Sequence, residues 1–208
     1  MKILNLYAGL GGNRKLWNNI FPNAEITAIE LNPKIAKVYQ QLNPKDNVII
    51  EDAHQYLLNN YEQYDFIWSS PPCQSHSKMV KATRHKIRKY PDMSLYQEII
   101  FLQNFFKGIW VVENVKPYYK PLINPTKEIG RHLFWSNFNL DDIEEIKSPS
   151  NFINKGTSKG VQELKDWLGI QYEGNIYYEG NHCPGQVLRN CVHPQVGLQI
   201  ISKLSKES

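Results

Sequence analysis

Lys2-Ile3-Leu4-Asn5-Leu6-Tyr7-Ala8-Gly9-Leu10-Gly11-Gly12 decides the fold. The apolar run at 3–7 is short and ends in a glycine turn, which reads as a buried strand; residues 13–21, with Leu16, Trp17 and Ile20 on one side, read as a helix. Strand, glycine turn and helix open an α/β unit, and the pattern repeats outward. Residues 24–29 form the next strand, closed by Glu30, after which Asn32 caps and Pro33 starts a helix running to Leu42. A third strand at 48–50 ends in Glu51-Asp52, and a fourth at 64–68 ends in Ser69-Ser70-Pro71-Pro72-Cys73-Gln74. Ser94 with Gln97 reads as a capping box for a helix at 95–107, before a fifth strand at 109–112 that ends in Glu113-Asn114. Strands alternating with helices predict an α/β fold, a mostly parallel sheet with helices on both faces. A strand at 133–138, an acidic patch (Asp141, Asp142, Glu144, Glu145), a helix at 161–168 stopped by Gly169 and a last helix from Pro194 complete the chain.

Composition limits the functions that this fold can carry. The 208 residues suit one domain with a small appendage, and 41% apolar against 21% charged residues is enough for a core and unlike a disordered chain. No apolar run approaches the roughly 20 residues of a membrane span, and no signal peptide is apparent, so a cytoplasmic protein without membrane partners is expected. Asparagine far outnumbers alanine, which hints at an AT-rich coding genome, bacterial or phage. Cys73, Cys183 and Cys191 are odd in number and lack a C-x-x-C pair, which argues against a disulfide framework and against a metal site. The net charge of +4 conceals a local excess: Lys78, Lys81, Arg84, Lys86, Arg88 and Lys89 follow one another without an acid, inside a long loop at 73–93.

In open parallel sheets, ligands sit beyond the carboxyl ends of the strands, where this sequence gathers its glycines, Glu30, Asp52, Cys73 and Glu113. The glycine turn fits a nucleotide-type cofactor, and Glu30 at the end of the second strand suits ribose hydroxyls. The spacing is not G-x-G-x-x-G, which favours a compact adenosine ligand such as S-adenosylmethionine over a dinucleotide. Asp52 can accept from an adenine amino group or stand as a solvated loop acid. Cys73, at the ligand end of a central strand and beside basic residues expected to lower its pKa, suits a thiolate nucleophile; the alternative is a small buried hydrophobe. Glu113 leaves an apolar strand, where burial raises a carboxyl pKa and fits a proton donor, or else it is a structural carboxylate.

The ordered set Tyr7-Ala8-Gly9-Leu10-Gly11-Gly12, Glu30, Asp52, Pro72-Cys73-Gln74, Glu113-Asn114-Val115 and Asn190-Cys191-Val192 resembles the cytosine-5 DNA methyltransferase family. The resemblance implies a Rossmann-like S-adenosylmethionine-dependent methyltransferase fold and transfer of a methyl group to carbon 5 of a cytosine flipped out of duplex DNA, with S-adenosylhomocysteine as product. It makes Cys73 the nucleophile at carbon 6 and Glu113 the proton donor to ring nitrogen 3, with Asn114 holding the loop and Arg131 contacting the base carbonyl. It places Tyr7, Gly9, Leu10, Gly11, Gly12, Glu30, Leu31, Asp52, Ala53, Pro72, Asn190 and Val192 around the cofactor. Gln74, Ser77, Lys78, Lys81, Arg84, Lys86 and Arg88 then face DNA, Lys and Arg supplying salt-dependent phosphate contacts.

The sequence departs from the family pattern in places. One arginine stands at 131 where the family alternates two, Arg189 replaces a glycine, and His76-Ser77 replaces Phe-Ser. The division expected is a catalytic domain at 1–138, a much reduced target-recognition region at 139–185, where 161–169 resembles a remnant of the family's ninth motif, and a closing segment at 186–208. So small a reader implies a short target site. A monomer in a restriction-modification setting is expected. The competing readings are a transfer-RNA cytosine-5 methyltransferase on the same scaffold, a methyltransferase acting on exocyclic amino groups suggested by Ser70-Pro71-Pro72, and a non-catalytic nucleic-acid-binding protein of this fold.

Overall fold

A computed structural model of the chain describes residues 1–77, 90–150, 152, 156–178 and 182–206. Seven strands form one sheet in the order β3-β2-β1-β4-β5-β7-β6. They are β1 (Lys2–Leu6), β2 (Glu25–Ile29), β3 (Asn47–Ile49), β4 (Phe66–Ser69), β5 (Ile109–Val115), β6 (Lys127–Ile129) and β7 (His132–Ser136). The first five in chain order are parallel, and β7 is antiparallel to both β5 and β6. The chain steps outward from β1 to β3 and then returns to lay β4 on the other side of β1. A cleft opens where strand order reverses in this way, beyond the carboxyl ends of β1 and β4.

Period-2 alternation sorts the strand side chains onto two faces. Ile3, Ile26, Phe66, Trp68, Val111 and Phe134 pack with Trp17 and with Val196, Ile200 and Ile201 of the last helix, α6 (Pro194–Ser202). Leu4, Leu6, Ile67, Trp110 and Val112 pack on the opposite face with α2 (Ala53–Asn60) and α3 (Ser94–Phe105). A third cluster joins Phe152, Ile176 and residues of α4 (Ser158–Leu168) and α5 (Gly185–Arg189) to Leu10 of the glycine turn and to Ile35 of α1 (Pro33–Leu42). Asn32 caps α1 by accepting from the amides of Lys34 (3.0 Å) and Ile35 (3.4 Å), and Thr157 caps α4, which Gly169 ends in the left-handed region.

Two sequence expectations fail, and a third shifts. Residues 13–21 do not form an α-helix but a series of tight turns with a 3-10 turn at Trp17–Asn19. Three side chains of this stretch point inward: Asn13 donates to Asn5 (2.9 Å), Arg14 makes a two-bonded pair with Asp46 (2.7 Å each), and Trp17 is fully buried. Ser94 does not cap α3; the helix begins on Met93, and Asp92 accepts the Ser94 amide (3.0 Å) instead. The strand placed at 133–138 is His132–Ser136 and gains a partner, β6, while the helices α2 and α5 arise where periodicity is too short to announce them.

Gly197 of α6 lies against the backbone of Asn13, and a Cβ there would overlap the Asn13 carbonyl. Gly197→Ala is therefore expected to cost about 1–3 kcal/mol through a forced backbone shift. Thermal unfolding checks this; an unchanged midpoint would mean that α6 is free to move away from the glycine turn.

Candidate active site

The carboxyl ends of the parallel strands surround a cavity of about 490 Å³, inside the roughly 300–1,000 Å³ range of small-molecule sites. Its wall contains Tyr7, Gly9, Leu10, Gly12, Glu30, Leu31, Asp52, Ala53, Pro72, Cys73, Gln74, Glu113, Asn114, Arg131, Asn190 and Val192. Gly11, also expected there, is not part of this wall: at φ +73° it faces the ring of Tyr39, where a Cβ would come within 2.7 Å of Cε2. Gly12 lets the closing segment approach, since a Cβ on it would sit 2.6 Å from the Val192 carbonyl oxygen.

At one end of the cavity, Glu30 is buried and accepts from the amides of Gly9 (2.9 Å) and Asn32 (2.8 Å). Burial raises its pKa against these two amides. Asp52 is exposed at the rim and spends one oxygen capping α2 through the Gln55 amide (2.8 Å). Leu31 is 66% exposed, also at the rim. Tyr7 adopts φ +55°, and its hydroxyl donates to Glu98, a fully buried acid of α3 that also accepts from Ser69 (2.5 Å) and meets His54 (3.2 Å). Sequence reasoning missed Glu98, although its signal is present: an acid on the apolar stripe Leu95, Ile99, Leu102.

At the other end stand Cys73, Glu113 and Arg131. Burial, with the nearby Glu113 charge, pushes the Cys73 thiol up to about 11 against the pull of Arg131. This corrects the expectation of a lowered thiol: the enclosed position denies the thiolate solvent, and among the described residues the charge that acts most on the thiol is the Glu113 carboxylate. Burial also lifts Glu113 to about 7, opposed by a hydrogen bond from Ser70, which itself accepts from the Trp68 indole (2.9 Å), and by Arg131. His132 Nε2 lies 3.7 Å from the Glu113 carboxylate, and burial with Arg131 and Lys116 holds the ring neutral, down at about 3. Asn114 donates to the Pro71 carbonyl (2.9 Å) and so ties β5 to the loop that carries Cys73. Arg131 donates to the Arg189 carbonyl, and its guanidinium lies 4.5 Å from the Phe152 ring centroid.

Beyond Cys73 the loop folds back on itself. The His76 and Ser77 amides donate to the Cys73 carbonyl (both 3.1 Å), and His76 Nδ1 meets the Tyr119 hydroxyl at 2.5 Å. Ser77 bridges Pro117. Lys78, Lys81, Arg84, Lys86, Arg88 and Lys89 lie outside the described residues. Among the described residues no cluster of three or more His, Cys, Asp or Glu could hold a metal, and no helix is long and apolar enough to cross a membrane.

The raised Glu113 pKa has a stability consequence. A carboxyl lifted from 4.5 to about 7 favours folding fully below its unfolded value, and that contribution is lost as pH rises through about 7. Glu113→Gln, which never ionises, is expected to be more stable than the native protein above pH 8 by roughly 3 kcal/mol and to show no such gain at pH 4. Denaturant unfolding at the two pH values checks the sign.

Comparison with known proteins agrees with the fold. The family described as C-5 cytosine-specific DNA methylase matches residues 1–131. Among solved structures, a mutant of Spodoptera frugiperda DNMT2 superposes over 99% of this chain and 98% of its own with a TM-score of 0.54 at 15% identity. NSun6 from Pyrococcus horikoshii with SFG aligns over 57% of this chain and 35% of its own, with a TM-score of 0.44 at 16% identity. No curated protein sequence matches the chain. The sheet is that of a Rossmann-like S-adenosylmethionine-dependent methyltransferase, and with more than half its length matched the chain belongs to the C-5 cytosine-specific DNA methylases.

Proposed function

We propose that the protein transfers a methyl group from S-adenosylmethionine to carbon 5 of a flipped cytosine in duplex DNA, through a covalent adduct on Cys73. The observation that carries this reading is the single cavity lined by Glu30 and Asp52 at one end and by Cys73 and Glu113 at the other. The cavity fits the cofactor. Glu30 is a buried carboxylate whose oxygens each hold one backbone amide and keep lone pairs for ribose hydroxyls, and Asp52 has a carboxylate oxygen left beside the rim residue Leu31 for an adenine.

When bound, S-adenosylmethionine supplies an electrophilic methyl group. The chain does the rest. Cys73 loses its proton and its sulfur bonds carbon 6 of the base, while Glu113 gives a proton to nitrogen 3, which moves the electron pair to carbon 5. After methylation, loss of the carbon-5 proton reforms the ring double bond, expels the Cys73 thiolate and returns the nitrogen-3 proton to Glu113. Glu113, lifted to about 7, still holds its proton over much of the neutral range and can give it up. Arg131 offers its remaining guanidinium protons to the base carbonyl oxygen. Extruding the base costs a few kcal/mol, which contacts to the base and phosphates must offset.

Base reading falls to the reduced region 139–185, and phosphate contact to the basic stretch 78–89. A recognition site of ~2–4 base pairs is expected, because each mismatch must be penalised by ~1–3 kcal/mol through contacts that a small segment can make. Sequencing of methylated DNA that found six or more defined pairs would remove this part of the reading. Replacing Lys81, Arg84 and Lys86 together with Gln is expected to weaken DNA binding and flatten its salt dependence.

The central test is transfer of a labelled methyl group to duplex DNA, single-stranded DNA and transfer RNA in parallel, followed by nucleoside analysis. Label at carbon 5 of cytosine in duplex DNA is expected, falling at least a thousandfold on the order-of-magnitude scale of lost covalent nucleophiles in Cys73→Ser, since an alcohol is a far weaker nucleophile than a thiolate. Label in transfer RNA alone would replace the DNA reading, and substantial activity in Cys73→Ser would remove the covalent step.

A further inference from the structure

The cavity has a wall that the first five strands do not supply. Tyr178 and Val187 line it together with the strand-end residues, and Tyr178 comes from the stretch between α4 and α5. The Tyr178 ring packs against the cluster that joins Leu10 of the glycine turn and Ile35 to residues of α4 and α5. Burial raises the pKa of its hydroxyl, which also feels Glu30 at one end of the cavity and Cys73 at the other. The phenol thus shares one cavity with both functional ends.

The hydrogen bonding around it has a direction. Gln186 Nε2 donates to Asn190 Oδ1 (2.8 Å), and Asn190 in turn hydrogen-bonds the Tyr178 hydroxyl. Asn190 stabilises the Tyr178 oxygen as a donor does, since its hydrogen bond opposes the upward shift of the phenol. With its oxygen accepting from Asn190, the hydroxyl keeps its own proton to give. The cavity surface is where an acceptor for that proton would lie, and a ribose oxygen or the carboxylate of an amino-acid tail is such an acceptor.

We propose that Tyr178 is a cofactor-binding residue: its ring closes the cavity over the bound adenosyl amino acid and its hydroxyl donates to an oxygen of that ligand, so that the segment expected to read DNA also builds the cofactor site. This rests on the cofactor reading given above. A second contact from the same segment points the same way, because Phe152 carries the Arg131 guanidinium on its ring face, 4.5 Å from the centroid. Both ends of the cavity therefore lean on residues that follow β7.

The test is calorimetric titration of the full chain with S-adenosylhomocysteine in the absence of nucleic acid. Tyr178→Phe keeps the ring and removes the hydroxyl, and is expected to weaken binding about fivefold, the loss of one ordinary hydrogen bond. Tyr178→Ala also opens the wall and is expected to weaken binding by tenfold or more, on the order of one lost buried aromatic contact. Tyr177→Ala, at the exposed neighbouring position, is expected to bind as the native chain does. Circular dichroism of each variant reports folding, and Tyr178→Phe, which leaves the packing ring in place, carries the test if Tyr178→Ala unfolds. Native affinity in Tyr178→Phe and in a folded Tyr178→Ala would overturn the proposal alone. Failure of the native chain to bind S-adenosylhomocysteine would overturn the cofactor reading and this proposal with it.

Discussion

Glu98 holds the working end of the sheet together. It is fully buried inside α3, and three groups from three other places converge on it: the Tyr7 hydroxyl just past β1, the Ser69 hydroxyl at the end of β4 and His54 in the first turn of α2. A buried acid without partners would cost several kcal/mol; with three it becomes a clamp across adjacent strand ends. The clamp explains the backbone of Tyr7. A bulky residue at φ +55° costs about 1–3 kcal/mol, and a hydrogen bond to a charged group returns about 1.5–3 kcal/mol, so the two nearly cancel and the turn into Ala8-Gly9 is held open. That turn is what presents the Gly9 amide to Glu30, 2.9 Å away, and so joins the end of β1 to the end of β2. His54, pulled upward in pKa mainly by its hydrogen bond to Glu98, extends the same clamp to the helix that Asp52 caps.

The other end of the cavity is organised by desolvation. Cys73 is pushed up to about 11 and Glu113 to about 7, both chiefly because the enclosed site disfavours negative charge, and among the described residues Arg131 is the cation that opposes both shifts. The two groups also oppose each other: an ionised Glu113 raises the thiol, and a protonated Glu113 removes that penalty. The form of Glu113 that can give a proton to a base is therefore also the form that makes the thiol easier to ionise. Ser70 and the Trp68 indole behind it temper the rise of Glu113, which keeps the carboxyl near neutrality instead of far above it. Neutral His132 stands beside the pair without adding a positive charge.

Much of the fold was legible because strands buried on both faces leave short apolar runs, and because the polar residues that end them, Glu30, Asp52, Cys73 and Glu113, fall together once the strands are laid parallel. The glycine turn was legible for the same reason, but the helix expected after it was not real: Leu16, Trp17 and Ile20 imitate a helical face, while the buried Asn13 and the Arg14–Asp46 pair, visible only in three dimensions, force tight turns. Electrostatics was the least legible level. A run of lysines and arginines close to Cys73 in sequence suggested a lowered thiol pKa, whereas burial raises it, and among the described residues the charges that act on the sulfur are Glu113 of β5 and Arg131 just before β7. Glu98 and Tyr178 went unseen for different reasons. The first broke an apolar stripe and so left a trace; the second sits in a polar stretch without periodicity, where only the fold reveals that its ring turns inward.

Residues 139–185 show how a short chain uses its length. Their apolar side chains, Phe152, Val161, Leu164, Leu168, Ile170 and Ile176, do not form a separate core but pack onto Leu10 and Ile35, directly behind the glycine turn and α1. A segment of this size could not bury enough surface to fold alone, so it must lean on the sheet domain, and the face it leans on is the cavity. That dependence runs both ways. Phe152 supports Arg131 at the reacting end, and the turn at Leu10 is covered by the cluster that holds Tyr178. Any displacement of the segment would be felt by both walls of the cavity at once, because the same small cluster carries them.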